Sequence, residues 1–150
     1  MKLNMERTFF GIIFLAALIG TPAAANARSC SLSGVAGTYG YTTSGSIPTL
    51  GAVAGVGHIT FNSSGNVTGA QTVSFNGAIA PETLSGTYSV NADCTATATI
   101  SAYRSGVLVR TSSFSAVWDN DQREFRAIFR TAGTVLTVNG RKMFREEEED

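Results

Sequence analysis

The sequence predicts an all-β fold: an antiparallel, up-and-down meander of about eight strands. Three observations carry this. Apolar and hydroxylic residues alternate with a period of two through most of the chain, the signature of half-buried strands. Short clusters of Gly, Asn, Asp and Ser punctuate that alternation at hairpin spacing. No segment beyond the first thirty residues carries a convincing helical repeat. A meander of this length avoids two raw edges by closing into a barrel, and a two-sheet sandwich is the alternative, since periodicity does not separate them.

The first residues read as an export signal. Lys2 and Arg7 form a basic start, Phe9 to Ile19 an apolar run too short to span a bilayer, and Ala25-Asn26-Ala27 a small-residue cleavage box, with Ala23-Ala24-Ala25 as a rival. The expected organisation is a signal peptide over 1–27, one β domain over 28–144, and a disordered, self-repelling acidic tail, REEEED, over 145–150. The expected destination is the periplasm or the exterior of a bacterial cell, with no membrane span after cleavage. Without the leader's Lys2, Arg7 and Glu6, the eleven basic and eleven acidic residues become nine and ten. A net charge of about −1 gives no electrostatic reason to expect nucleic acid or an anionic surface as partner. Cys30 and Cys94 are the two cysteines, and in an exported chain they are expected to form one disulfide.

Strands are expected near 37–43, 55–62, 66–76, 84–90, 94–103, 107–118, 124–131 and 134–144. At the front, Tyr39 and Tyr41 share one face. In GHITFNSSGNVTGAQTVSFNG (57–77), Ile59 and Phe61 fall opposite His58 and Thr60, and Val67, Gly69, Val73 and Phe75 share a face after the turn. Pairing Phe61 with Val67 leaves a three-residue loop with Gly65 at the position that needs a left-handed backbone. Leu84 to Val90 and Cys94 to Tyr103 make a second hairpin, with Asn91-Ala92-Asp93 as its loop and Tyr88 facing Ala96. In a third, Phe114, Ala116 and Trp118 answer Phe125, Ala127 and Phe129 across Asp119-Asn120-Asp121-Gln122. Ala132-Gly133 then turns the chain into the last strand. Pro48 and Pro81 are placed in connections. Strands one and five of a meander start at one end, so a Cys30–Cys94 bond is expected to carry the N-terminal segment across one mouth of the barrel.

The stretches GHITFNSSGNVTG, SFNG and LSGTYSVNADCTATATI resemble small exported bacterial β proteins of unknown function, which share a G-x-[IL]-T-F-x-x-x-G-x-V-x-G … G-T-Y-x-V-x-x-D-C-T pattern. The layout is more loosely similar to calycin-type and allene-oxide-cyclase-type barrels. The first resemblance implies an exported β domain and no mechanism; the second concerns fold alone.

Chemistry-bearing motifs are sparse. His58 is the single histidine and is expected on the polar outer face; no H-x-x-x-H, C-x-x-C or P-loop occurs. Asp119-Asn120-Asp121 begins like a calcium loop, but the glycine and later Glu are missing, so it reads as a turn. No cofactor, metal site or catalytic residue is therefore expected. Arg126 and Arg130 form an outward stripe with Glu124, and Arg110 is expected near them across the sheet, either as a solvated wall or as an anion clamp. The leading functional expectation is a barrel that holds a small apolar ligand, lined by Tyr39, Tyr88, Phe114, Trp118 and Phe125, with Gly69, Gly86, Ala96 and Ala98 leaving room. The second is a structural or cell-envelope interaction protein, motivated by the outward row Thr95, Thr97, Thr99 and Ser101. The third is an isomerase or cyclase that works by cavity shape, which requires His58, Glu82 or an arginine inside a pocket with a second polar group in reach.

Overall fold

A computed structural model describes residues 29–119 and 121–144. The expected leader, the acidic tail and Asn120 lie outside the described residues. Eight antiparallel strands, β1 (Gly37–Ile47), β2 (Gly51–Phe61), β3 (Asn66–Phe75), β4 (Ala78–Val90), β5 (Thr95–Arg104), β6 (Val107–Asp119), β7 (Glu124–Phe129) and β8 (Val135–Lys142), follow one another around a closed barrel. β1 pairs with both β2 and β8, from Tyr39↔Lys142 to Ser46↔Val135 on the closing side, so no edge remains. The expected closed barrel, and not the two-sheet sandwich, is thus the observed form.

Alternation decides what fills the interior. Tyr39, Tyr41 and Thr43 of β1, Val53, Ile59 and Phe61 of β2, Val67 and Val73 of β3, and Leu136 and Val138 of β8 are buried, while most of their neighbours in sequence are exposed. The first hairpin has the expected register, Phe61↔Val67 and Ile59↔Gly69, with Gly65 at φ 83°. Asn62 Oδ1 accepts from the backbone N–H groups of Ser64 and Asn66 and so fixes the loop.

Four expectations are corrected. The second hairpin pairs Tyr88 with Ala98 and Val90 with Ala96, two residues from the expected register. Its loop repeats the geometry of the first: the Asn91 N–H donates to Thr95 O and the Cys94 N–H to Asn91 O, as Asn62 does to Asn66 and Gly65 to Asn62. Cys94, at φ 69°, therefore takes the left-handed position assigned to Asp93. Strands β1, β2 and β4 are also longer than predicted, and Pro81 lies inside β4. It is tolerated because β5 pairs with β4 only from Thr83 onward, so residues 78–82 have an open side. A one-turn helix, α1 (Leu32–Val35), is present where no helix was expected, its first turn capped by the Ser31 hydroxyl accepting from the Gly34 N–H. Arg110, finally, points into the barrel rather than toward Arg126.

α1 plugs the end where β1 and β5 start. The Cys30–Cys94 disulfide, joining Cα atoms 4.9 Å apart, ties the plug to that rim. Tyr39 Oη donates to the carbonyls of Val35 and Gln122, and Tyr88 Oη to those of Asn62 and Leu32. Above the plug, Phe61 stands edge-on to Tyr39, Tyr88, Trp118 and Phe125 at centroid distances of 4.9–5.7 Å. This aromatic floor needs a missing side chain opposite Phe125: a Cβ on its cross-strand partner Gly140 would sit 2.2 Å from the Phe125 ring. Gly140→Ala is expected to destabilise the barrel by about 2 kcal/mol, the usual cost of overpacking, measured as a lowered urea midpoint at unchanged slope.

Candidate functional site

The end opposite the plug is open. Its rim is made by the turns after β1, β3, β5 and β7, and in each turn or at the start of the strand that follows stands an exposed apolar residue: Leu50, Ile79, Val107 with Leu108, and Val135. Inside, an outer chamber of about 270 Å³ is lined by Ile47, Val53, Val73, Phe75, Phe129 and Leu136, with threonines at 43, 131 and 134. Deeper lies a smaller and mainly apolar chamber of about 70 Å³, lined among others by Ile59, Phe61, Leu84, Ala96, Ala98 and Ile100. Thr43, Gln71, Arg110, Ser112 and Phe129 line both, so these residues form the threshold between them.

Of the residues predicted to line a cavity, Phe114, Trp118 and Phe125 face the inner chamber, as do Ala96 and Ala98. Tyr39 and Tyr88 lie in the floor, where their hydroxyls hold α1 and neighbouring backbone. Burial pushes the Tyr39 phenol up, and that of Tyr88 to about 12, so both remain proton donors in these bonds. His58 is exposed on the outer wall, between Gly40 and Ala70. Arg126 is also outside, ion-paired with Asp119 at 2.7 Å, and Glu124 meets Arg141 at 3.6 Å. The outward hydroxyl row of β5 is extended across the sheet by Ser89···Thr97 at 3.1 Å and Ser101···Thr111 at 2.9 Å.

At the threshold the barrel holds a charged cluster that was not anticipated as a unit. Four consecutive strands supply it: Gln71 from β3, Glu82 from β4, Arg104 from β5 and Arg110 from β6. Gln71 and Glu82 are direct cross-strand partners, and β5–β6 pairing shifts register just past Ala102↔Arg110. The Glu82 side chain is 0% exposed. Arg110 grips it bidentately, Nη1 donating to Oε1 at 2.7 Å and Nη2 to Oε2. Arg104 adds Nε at 3.0 Å and Nη2 at 2.9 Å to Oε1. Gln71 Nε2 donates to Oε2 at 2.7 Å, and its own Oε1 accepts from Tyr41 Oη at 2.7 Å. Both guanidinium carbons stand over the Phe75 ring, 5.6 Å and 5.3 Å from its centre.

Burial alone would raise the Glu82 pKa. The hydrogen bonds from Arg110, Gln71 and Arg104, with the Arg110 charge, outweigh it and hold the carboxyl below its ordinary range. Glu82 is thus ionised at neutral pH, and burial pushes the Tyr41 phenol well up, so that it stays protonated. Such a cluster fixes charge in place and is poorly suited to moving protons, because neither group titrates near neutrality. Among the described residues, no group of three or more His, Cys, Asp or Glu side chains is placed to hold a metal ion.

The signal for the cluster lay in the alternation itself. Gln71 is the skipped member of the series Val67, Gly69, Val73 and Phe75; Glu82 has the parity of Leu84 and Tyr88, and Arg110 that of Phe114 and Trp118. Arg104 has the parity of Ala98 and Ile100. No family model, no curated protein and no solved structure matches the chain.

Proposed function

We propose that this is an exported bacterial protein whose barrel binds a small, largely apolar ligand in its lumen. The observation that carries this reading is the lumen's asymmetry: one end sealed by α1 and the disulfide, the other open through an apolar rim into two connected chambers. A barrel that only had to be stable would gain by filling that volume, since empty apolar space forfeits packing energy. The disulfide fits an oxidising compartment, and export accounts for it. Among the described residues, no helix is long and apolar enough to cross a membrane. The ionised, fully engaged Glu82 favours binding over proton-transfer catalysis, including the cavity-type isomerase.

The test has two parts. Native mass spectrometry of the protein purified from its own host is expected to show a co-purifying small molecule. Titration with 1-hexanol and benzyl alcohol is expected to change the fluorescence of Trp118, the chain's one tryptophan, which faces the inner chamber. A protein that returns empty and gives no Trp118 response overturns the reading. If that empty protein instead sediments with envelope membranes, the second reading replaces it, with Leu50, Ile79, Val107, Leu108 and Val135 seating the open end on a surface.

A further inference from the structure

We infer that the ligand is an organic anion, a carboxylate on a short apolar body, and that Arg110 holds its charged end while Arg104, by sharing Glu82, leaves Arg110 charge to spare. This rests on the ligand-binding reading above and narrows it to a chemical class.

The first argument is charge balance. Two guanidiniums face one carboxylate in the cluster, and Gln71 and Tyr41 are neutral, so the threshold carries a net positive charge. A buried carboxylate is neutralised by one arginine in bidentate geometry, and Arg110 already provides that. Arg104 is surplus to the neutralisation of Glu82. Because Glu82 is shared between the two guanidiniums, Arg110 at the chamber wall keeps charge that Glu82 does not cancel and that a bound anion can.

The second argument is donor count. A guanidinium carries five N–H donors in a fixed fork, and Glu82 engages only part of each. Arg110 and Arg104 side chains are 29% and 41% exposed, against 0% for Glu82. The carboxylate therefore sits behind the guanidiniums, and it is Arg110, not Arg104, that turns part of its edge to the chambers. The Phe75 face holds both in one orientation, which reduces the ordering a ligand has to impose.

The third argument is surroundings. Arg110 lines both chambers, with the hydroxyls of Thr43 and Ser112 beside it, while the chamber walls on either side are chiefly apolar. A cavity of about 150 Å³ accommodates benzene, so the outer chamber has room for one ring or a short chain. Polarity is thus confined to one level of an apolar tube, as an amphiphilic anion requires.

Hexanoate and benzoate, each compared with its alcohol, 1-hexanol or benzyl alcohol, test this by Trp118 fluorescence and calorimetry at pH 7. In the wild type each carboxylate is expected to bind about tenfold more tightly than its alcohol, the value of one charge-assisted hydrogen-bonded contact. Arg104→Gln, which leaves the Arg110–Glu82 pair intact, is expected to reduce that preference to threefold or less. Glu82→Gln, which releases both guanidiniums, is expected to increase it. Opposite signs from two changes in one cluster are not produced by a merely structural role. Equal binding of acid and alcohol in the wild type overturns the anion assignment while leaving the ligand-binding reading in place, and so does a preference that neither variant moves. If no probe binds at all, the anion assignment falls, and the ligand-binding reading falls with it when the purified protein is also empty.

Discussion

Replacing Cys30 and Cys94 together with alanine is expected to lower the unfolding free energy by about 4 kcal/mol, the chain-entropy value for a bond spanning 64 residues. The loss has a second component on the native side. Cys30 is buried, its N–H donates to Ala92 O, and it precedes the plug that covers the aromatic floor. Without the bond, α1 is held by the Tyr39 and Tyr88 hydroxyls, by the buried Val35 side chain and by its one-residue link to β1, while the chain before it is untied from the rim. A more discriminating comparison uses the backbone at Cys94, whose φ of 69° suits glycine. The pair Cys30→Ala with Cys94→Gly is expected to be about 1 kcal/mol more stable than the double alanine variant, because alanine is strained in the left-handed region. Urea unfolding of the variants, and of the wild type with and without reductant, measures both differences.

Arg110→Leu is expected to cost about 3 kcal/mol at pH 7. Removing one partner of a buried pair strands the other charge, here a carboxylate with no exposed surface. The value sits at the low end of the usual range because Arg104 and Gln71 still donate to Glu82. The pH dependence fixes the cause. A carboxyl whose folded pKa is depressed contributes stability that is fully present above its unfolded value, about 4.3, and is lost as pH falls through the folded value. The wild type therefore loses stability on acidification below about pH 4, whereas in the variant Glu82 can take up a proton without losing a bidentate partner. The gap between the two is expected to narrow as pH falls from 7 toward 3. A gap that stays constant across that range assigns the loss to packing instead. Glu82→Leu combined with Arg110→Leu is expected to recover part of it, since no stranded charge then remains.

Most of the barrel was legible in the chain because alternation reports which residues share a face, and in a meander that nearly specifies the sheet. The limits were equally physical. A shift of one residue exchanges the two faces, but a shift of two preserves them, so the pattern could not detect the displaced second hairpin. Gly65 pinned the first hairpin; at the equivalent turn of the second stands Cys94, which carries no conformational signal. The ends of β1, β2 and β4 were missed because Ser44, Gly45, Ala52, Ala54 and Pro81 have weak strand preference and are held by register with their neighbours. At the site, Phe114, Trp118 and Phe125 followed from parity. Gln71, Glu82, Arg104 and Arg110 obeyed the same parity, but a polar residue on an apolar face reads as an interruption until its cross-strand neighbours are known. Only the register between four strands turns four interruptions into one cluster.

Closure of β1 onto β8 has a kinetic corollary. Seven of the eight ladders join neighbours in sequence and can zip from their own turns, while the eighth unites the two ends of the domain. The β1–β8 seam is thus the slow event in maturation, and until it forms the nascent sheet exposes two unsatisfied flanks to other copies. Because both sulfurs precede β5 in the chain, oxidation can lock the early half of the wall while the last strand is still arriving.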